Sequence, residues 1–264
     1  MRTTTGSTHV KTRMKWSLDL VRELTRKELK VRYRNSFLGY VWSVASPAAQ
    51  AMVYFFAFKV VVRITVEDYG LFLIAGLFTW QWFANSLTVC TSVFLNNASL
   101  IKKVAFPREA LPLASVLNDG LHFALSLPVI AVVAALYGVW PRLSWLYGLP
   151  ILVCLQFLLI LGFGLLVSSI NLFFRDLERL VTILLSIVFY ATPVIYRLDM
   201  VPERFRTLLF LNPMTPLVVN YQNVLLHGTF QWGMAGLSLI YGVVWLGIGW
   251  WVFSRLRWRF AEAL

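Results

Sequence analysis

Charge is scarce in this sequence. Lysine, arginine, aspartate and glutamate make up 14% of its 264 residues, where a soluble domain carries about a quarter. Apolar residues reach 59%, aromatics 16%, and the mean hydropathy is +0.70. That composition excludes a soluble globular protein and reads as an integral membrane protein. Cysteine is nearly absent: Cys90 and Cys154 fall in apolar segments, which argues against a disulfide or thiolate metal site and for burial as small apolar groups. The three scattered histidines, His9, His122 and His227, and the lack of an HExxH pair leave no metal site to predict. No GxxxxGK(S/T) or Gly-rich dinucleotide loop occurs, so no cofactor and no catalytic residues are expected in this chain. The basic stretch 1–16 runs into the charged segment Asp19 to Arg34, not into a short apolar run, and does not predict a cleaved signal peptide.

The chain does contain long apolar runs. They predict an all-α membrane domain over 1–264 with six transmembrane helices, at 38–62, 71–95, 111–137, 145–174, 180–196 and 232–253. Pro47 and Gln50 interrupt the first run, and Lys59 near its far end can snorkel outward. Trp80 and Trp82 lie too centrally in the second to be interface anchors. Pro112 and Pro128 suit a membrane helix whose neighbours satisfy freed carbonyls, and Gly162 and Gly164 allow close helix contact. Asp119 is the one carboxylate expected within a span, a position that marks function by default, although its place near the helix end lets it reach the interface.

Before the first run, Trp16, Leu20, Leu24 and Val31 fall roughly on one side of a helix over 16–34, with Glu23 four residues ahead of Lys27. An amphipathic interface helix follows. The stretch 171–218 combines a charged turn (Arg175, Asp176, Glu178, Arg179), an uncharged run and a proline-studded return. In the return, 197–231, the apolar pieces 208–211 and 217–219 are too short to cross and predict two short re-entrant or surface helices.

Six crossings put both termini on one side, and the positive charges choose that side. Of the twenty-four lysines and arginines, ten precede Leu38, and Lys102, Lys103, Arg108, Arg175, Arg179, Arg255, Arg257 and Arg259 join them on the terminal side. Lys59, Arg63, Arg142, Arg197, Arg204 and Arg206 fall opposite. Both termini are therefore expected in the cytoplasm. The net charge of +12 then faces anionic lipid or an acidic partner, and nucleic acid is not a predicted partner.

Four blocks in order, KELKVRYRNSFLGYVWSVASP (27–47), NLFFRDLERL (171–180), ATPVIY (191–196) and LNPMTPLV (211–218), resemble the permease subunits of ABC-2 type exporters of bacterial surface polysaccharides, such as O-antigen, teichoic acid and capsule exporters. The resemblance covers the chain past its first fifteen residues. It implies a homodimer in the bacterial inner membrane, paired with two copies of a separate cytoplasmic ABC ATPase that holds ATP and magnesium, and exporting a lipid-linked polysaccharide. It also implies a coupling helix within Asn97 to Arg108, with Ile101, Lys102, Lys103, Phe106 and Arg108 facing the ATPase, and Glu23 and Lys27 lying against it. Arg175 and Asp176 would cap or clamp the inner end of the fifth helix. Because the first and fifth spans of such permeases face the dimer axis, and sugars stack on aromatic rings, Tyr54, Phe55, Phe58, Phe189, Tyr190 and Tyr196 become candidates for the substrate path.

Two other functions share parts of this pattern. An ABC-2 permease for a drug or small lipid has the same topology. A membrane-embedded glycosyl or acyl transferase would need acids or histidines converging at one face, where the outer loops offer only Glu67, Asp68, Asp199 and Glu203.

Overall fold

The computed structural model describes residues 19–29, 41–64 and 66–264. Trp16, Val31 and residues 38–40 of the first run lie outside the described residues, as does the interface helix beyond 19–29. Among the described residues all regular structure is helical. The elements are α1 (19–29), α2 (Val41–Phe55, continued by a π-helical turn Phe56–Val61), α3 (Tyr69–Asn96), α4 (Ala98–Lys103), α5 (Ala110–Leu136) and α6 (Leu143–Asn171). They continue with α7 (Leu177–Tyr190), α8 (Glu203–Leu209), α9 (Met214–Gln222), α10 (Trp232–Leu256) and α11 (Phe260–Ala263). Pro47, Pro128 and Pro150 sit inside α2, α5 and α6, where packed neighbours can satisfy the freed carbonyls.

Among the described residues three helices are long and apolar enough to cross a bilayer: α5, α6, and α10 with its continuation to Arg259. At 28 residues α3 has the length, but its apolar run is broken by Thr79, Gln81, Asn85, Ser86, Thr88 and Thr91. Thr79, Ser86 and Thr91 are among the eighteen buried residues of α3, the central helix. Gln156 of α6 donates to the Thr79 carbonyl at 2.8 Å, and Ser86 donates to Asp119 of α5 at 3.2 Å. A helix wrapped by protein can afford polar positions that lipid would penalise.

By contrast α7 buries only Val181 and Phe189 and leaves Leu180, Ile183, Leu184, Ile187 and Tyr190 exposed. It has 14 residues, about 21 Å of helix, and gives way at Ala191 to a turn where the sequence pattern continued the run to Tyr196. Outward apolar side chains face hydrocarbon in a membrane protein, so exposure carries no penalty there. The same reasoning corrects the expectation for one cysteine: Cys90 is buried, but Cys154 is exposed on α6, and both are free thiols.

Two apolar clusters mark the two parts of the bundle. The larger holds α3, α5, α6, α7 and α9 together. The second gathers Leu24, the last turns of α3 and α6, Ile101, the first turn of α5, Phe253 and Phe260. The end of α3, the start of α5 and the end of α6 meet in it, so these three alternate in direction, whereas α10 also brings its last turns there and runs parallel to α6.

The proline-rich return folds back into the larger cluster. All nine residues of α9 are buried, whereas α8 buries none. Asn212 ties the turn to what precedes it: its Oδ1 accepts from the Met214 amide at 3.0 Å and its Nδ2 donates to Thr192 Oγ1 at 2.7 Å. Gln222 Nε2 donates to the Pro193 carbonyl at 3.0 Å, and Tyr69 Oη donates to the Ile195 carbonyl at 2.8 Å. The 191–196 and 211–218 blocks are thus halves of one hydrogen-bonded unit, which α3 pins. Tyr69→Phe removes the pin and leaves a buried carbonyl without its donor. It is expected to lower stability by about 1–2 kcal/mol, read as a lower thermal unfolding midpoint in detergent.

Candidate functional site

A cavity of about 770 Å³ opens between α2, α3, α5 and α7. Its walls carry aromatic rings from all four helices: Trp42, Tyr54, Trp80, Trp82, Phe123 and Phe189 among them. Phe189 is the hub. Its ring centroid lies 5.7 Å from Tyr54, with the rings stacked, 5.5 Å from Trp80 and 5.3 Å from Tyr190. Trp82 stacks on Phe123 at 5.1 Å.

Between the rings stand uncharged polar groups. Gln50 of α2, Gln81, Asn85 and Thr88 of α3, and Thr182 and Ser186 of α7 all reach the cavity. Gln81 Nε2 donates to Gln50 Oε1 at 2.9 Å, and Gln50 Nε2 donates to Tyr54 Oη at 3.3 Å, joining α2 to α3 across the floor. Among the described residues the one ionisable carboxylate in the wall is Asp119, buried at 3% exposure beside Ser86. It therefore turns into the bundle instead of reaching the interface. Rings with amides and hydroxyls suit a ligand that has C–H faces and many hydroxyls.

Beyond the second cluster the surface is basic. Lys102 and Lys103 are exposed on α4, a short helix held by buried Ile101. Lys27 of α1 donates to Asn97 Oδ1 at 3.2 Å, and Ser115 of α5 donates to Glu28 at 2.9 Å. Arg108 donates to the Arg257 carbonyl and lies 5.7 Å from the centroid of the Phe260 ring.

A sequence profile of ABC-2 type transporter membrane domains matches residues 19–226. This chain belongs to the ABC-2 type transporter family. The ABC-2 chain is 42% identical over 256 residues to the O-antigen export system permease protein RfbA of Klebsiella pneumoniae, a match covering 96% of this chain and 99% of that protein. It is 35% identical over 253 residues to the protein of the same name from Myxococcus xanthus, covering 93% and 95% of the two chains. At 19% identity over 218 residues, 81% of this chain and 84% of the other, it is also similar to the polysialic acid transport protein KpsM of Escherichia coli.

Of the six aromatic residues selected on sequence, Tyr54, Phe189 and Tyr190 line the cavity of the ABC-2 chain. Phe55 turns away and packs 6.2 Å from Tyr69, Phe58 lies in the π-helical turn 6.3 Å from Tyr54, and Tyr196 donates to the Tyr190 carbonyl at 3.1 Å. At the basic end, Glu23, Lys27, Lys102 and Lys103 are exposed, Phe106 and Arg108 are half-buried, and Ile101 is buried at 5%. Ile101 thus anchors α4 in the cluster. Arg175 and Asp176 are exposed at the start of α7. Asp176 holds the N-cap position without a side-chain capping bond, so it and Glu178 in the first turn act through charge at the helix N-terminus.

Sequence reasoning passed over Gln81, Asn85 and Thr88 as path residues. Their spacing of four and three was the available signal, since polar groups so placed share one helix face. Of the acids weighed for a transferase, Asp199 is paired with Arg197 at 2.7 Å and Glu203 lies 3.8 Å from Arg206.

Proposed function

We propose that this ABC-2 chain is the channel-forming permease subunit of an ATP-driven exporter of lipid-linked polysaccharide. In this reading two copies, each with six spans built on α2, α3, α5, α6, α7 and α10, stand in the bacterial inner membrane with both termini in the cytoplasm. Two copies of a separate ABC ATPase bind the basic end, and ATP and magnesium are held there. The observation that carries the reading is the aromatic, amide- and hydroxyl-bearing cavity between α2 and α7, whose exposed outer faces leave room for a second copy. The O-antigen and polysialic acid functions in the relatives' names agree with it.

ATP-driven closure of the ATPases would move α1 and α4, and α4 is joined directly to α3 and through Val104–Glu109 to α5. Both of those helices wall the cavity. The exposed lysines give the sharpest test. Changing Lys102 and Lys103 together to Glu alters neither apolar cluster, so thermal unfolding should be unchanged. Copurification of the ATPase and surface polysaccharide, measured by staining of whole cells, should fall by about tenfold or more, the effect of roughly 1.4 kcal/mol of lost association. ATP hydrolysis by the permease purified alone, or unchanged export in the double variant, would overturn the division of labour.

A further inference from the structure

One face of α3 carries Gln81, Asn85 and Thr88 in sequence along the cavity. Helical rise separates the first from the last by about 10 Å, the length of a short run of linked sugar rings. Across the gap α7 carries Thr182, Ser186 and Tyr190 at similar spacing. The two walls differ in what they can offer.

On α7 the aliphatic hydroxyl protons are already engaged, since Thr182 donates to the Glu178 carbonyl and Ser186 to the Thr182 carbonyl, each at 3.0 Å, while the Tyr190 phenol at the end of the row remains a donor. Thr88 likewise donates to the Ala84 carbonyl at 2.9 Å. These three oxygens keep lone pairs and act toward a ligand as acceptors. Most of the donors come from α2 and α3. Gln50 and Gln81 each retain one amide proton after the bonds they make to Tyr54 and to Gln50. Tyr54, which accepts from Gln50, keeps its own phenolic proton for a ligand. Asn85 is exposed to the cavity with both ends of its amide available.

A sugar hydroxyl donates and accepts at once, so it is best held between a donor wall and an acceptor wall. We propose that Gln81, Asn85 and Thr88, supported by Gln50 and Tyr54, form a hydroxyl-reading ladder that sets which glycan the permease accepts. The aromatic rings supply sequence-tolerant stacking, and the ladder supplies register. The proposal rests on the polysaccharide-export reading and narrows it to named specificity determinants.

The test uses the full permease with its ATPase in lipid nanodiscs. The probe is oligosaccharide released by mild acid from the surface polysaccharide of the producing cells, with binding measured by calorimetry. Asn85→Leu and Gln81→Leu are each expected to weaken binding by about tenfold, since a polar ligand group then meets an apolar wall. Asn85→Gln, which restores an amide, should recover most of the loss. A purely structural role would not give that recovery.

Wild-type binding together with full binding by Asn85→Leu and Gln81→Leu overturns the ladder and leaves the export reading standing. Loss in Asn85→Leu without recovery in Asn85→Gln also overturns the ladder. Absence of binding by the wild-type protein, with surface polysaccharide unchanged on deletion of the permease, overturns the export reading and the ladder with it.

Discussion

Gly249→Ala is expected to destabilise the protein by about 1–3 kcal/mol, while the same change two residues earlier, at Gly247, stabilises it. The difference lies in what a Cβ would meet. At Gly249 it would collide with the Gly162 carbonyl oxygen of α6, and its carbon would be 2.9 Å away. At Gly162 a Cβ would stand 2.5 Å from the Leu246 amide nitrogen. The two glycines let α6 and α10 touch backbone to backbone, and a backbone carbonyl cannot swing aside as a side chain can. At Gly247 and Gly236 nothing lies within 4 Å.

Replacing glycine by alanine in a helix gains about 0.8–1 kcal/mol of propensity. That gain stands alone at Gly247 and Gly236 and is outweighed at Gly249. Thermal unfolding in detergent should therefore give midpoints ordered Gly247→Ala above wild type above Gly249→Ala. Larger side chains at Gly249 should abolish accumulation of the folded protein. Equal midpoints for the Gly247 and Gly249 variants would show that α6 and α10 do not pack in this way.

Phe189→Ala should have the largest effect on transport. The ring is buried at 6% exposure and touches Tyr54, Trp80 and Tyr190, one neighbour on each of α2, α3 and α7. Truncation removes a wall of the cavity and unties three helices at once, with a loss of about 3–5 kcal/mol for a buried phenylalanine. Surface polysaccharide should fall by more than about tenfold, an effect a single lost aromatic platform of 1–3 kcal/mol can reach. Phe189→Tyr keeps the ring and should retain most export, whereas Phe55→Ala, on the neighbouring face of α2, should lower stability while sparing transport. Transport lost in the Phe55 variant and kept in the Phe189 variant would reverse the assignment of the path.

These two residues show how far the sequence could be read. The apolar runs, the return at 197–231 and the asymmetry of charge are local properties, and they located most of the helices to within a few residues. Helical propensity and hydrophobicity act over short windows, which is why that much was legible. Rotation of each helix about its own axis was another matter.

In a soluble protein the polar face points to water and so reveals the buried one. Here lipid and protein interior are both apolar, and the periodic signal that would separate them is nearly lost. Tyr54 and Phe55 are adjacent aromatics on one helix, about 100° apart, and nothing local tells that Tyr54 faces the cavity and Phe55 faces Tyr69. For the same reason nothing local tells that Ile101 of α4 is buried in the second cluster while Lys102 and Lys103 are exposed. The amino-acid sequence by itself determined that this is a helical membrane protein with a basic end and a folded-back loop. Only the tertiary structure decided which faces meet, because that choice rests on contacts between segments far apart in the chain: Gly162 on Gly249, Tyr69 on Ile195, and Gln81 on Gln50.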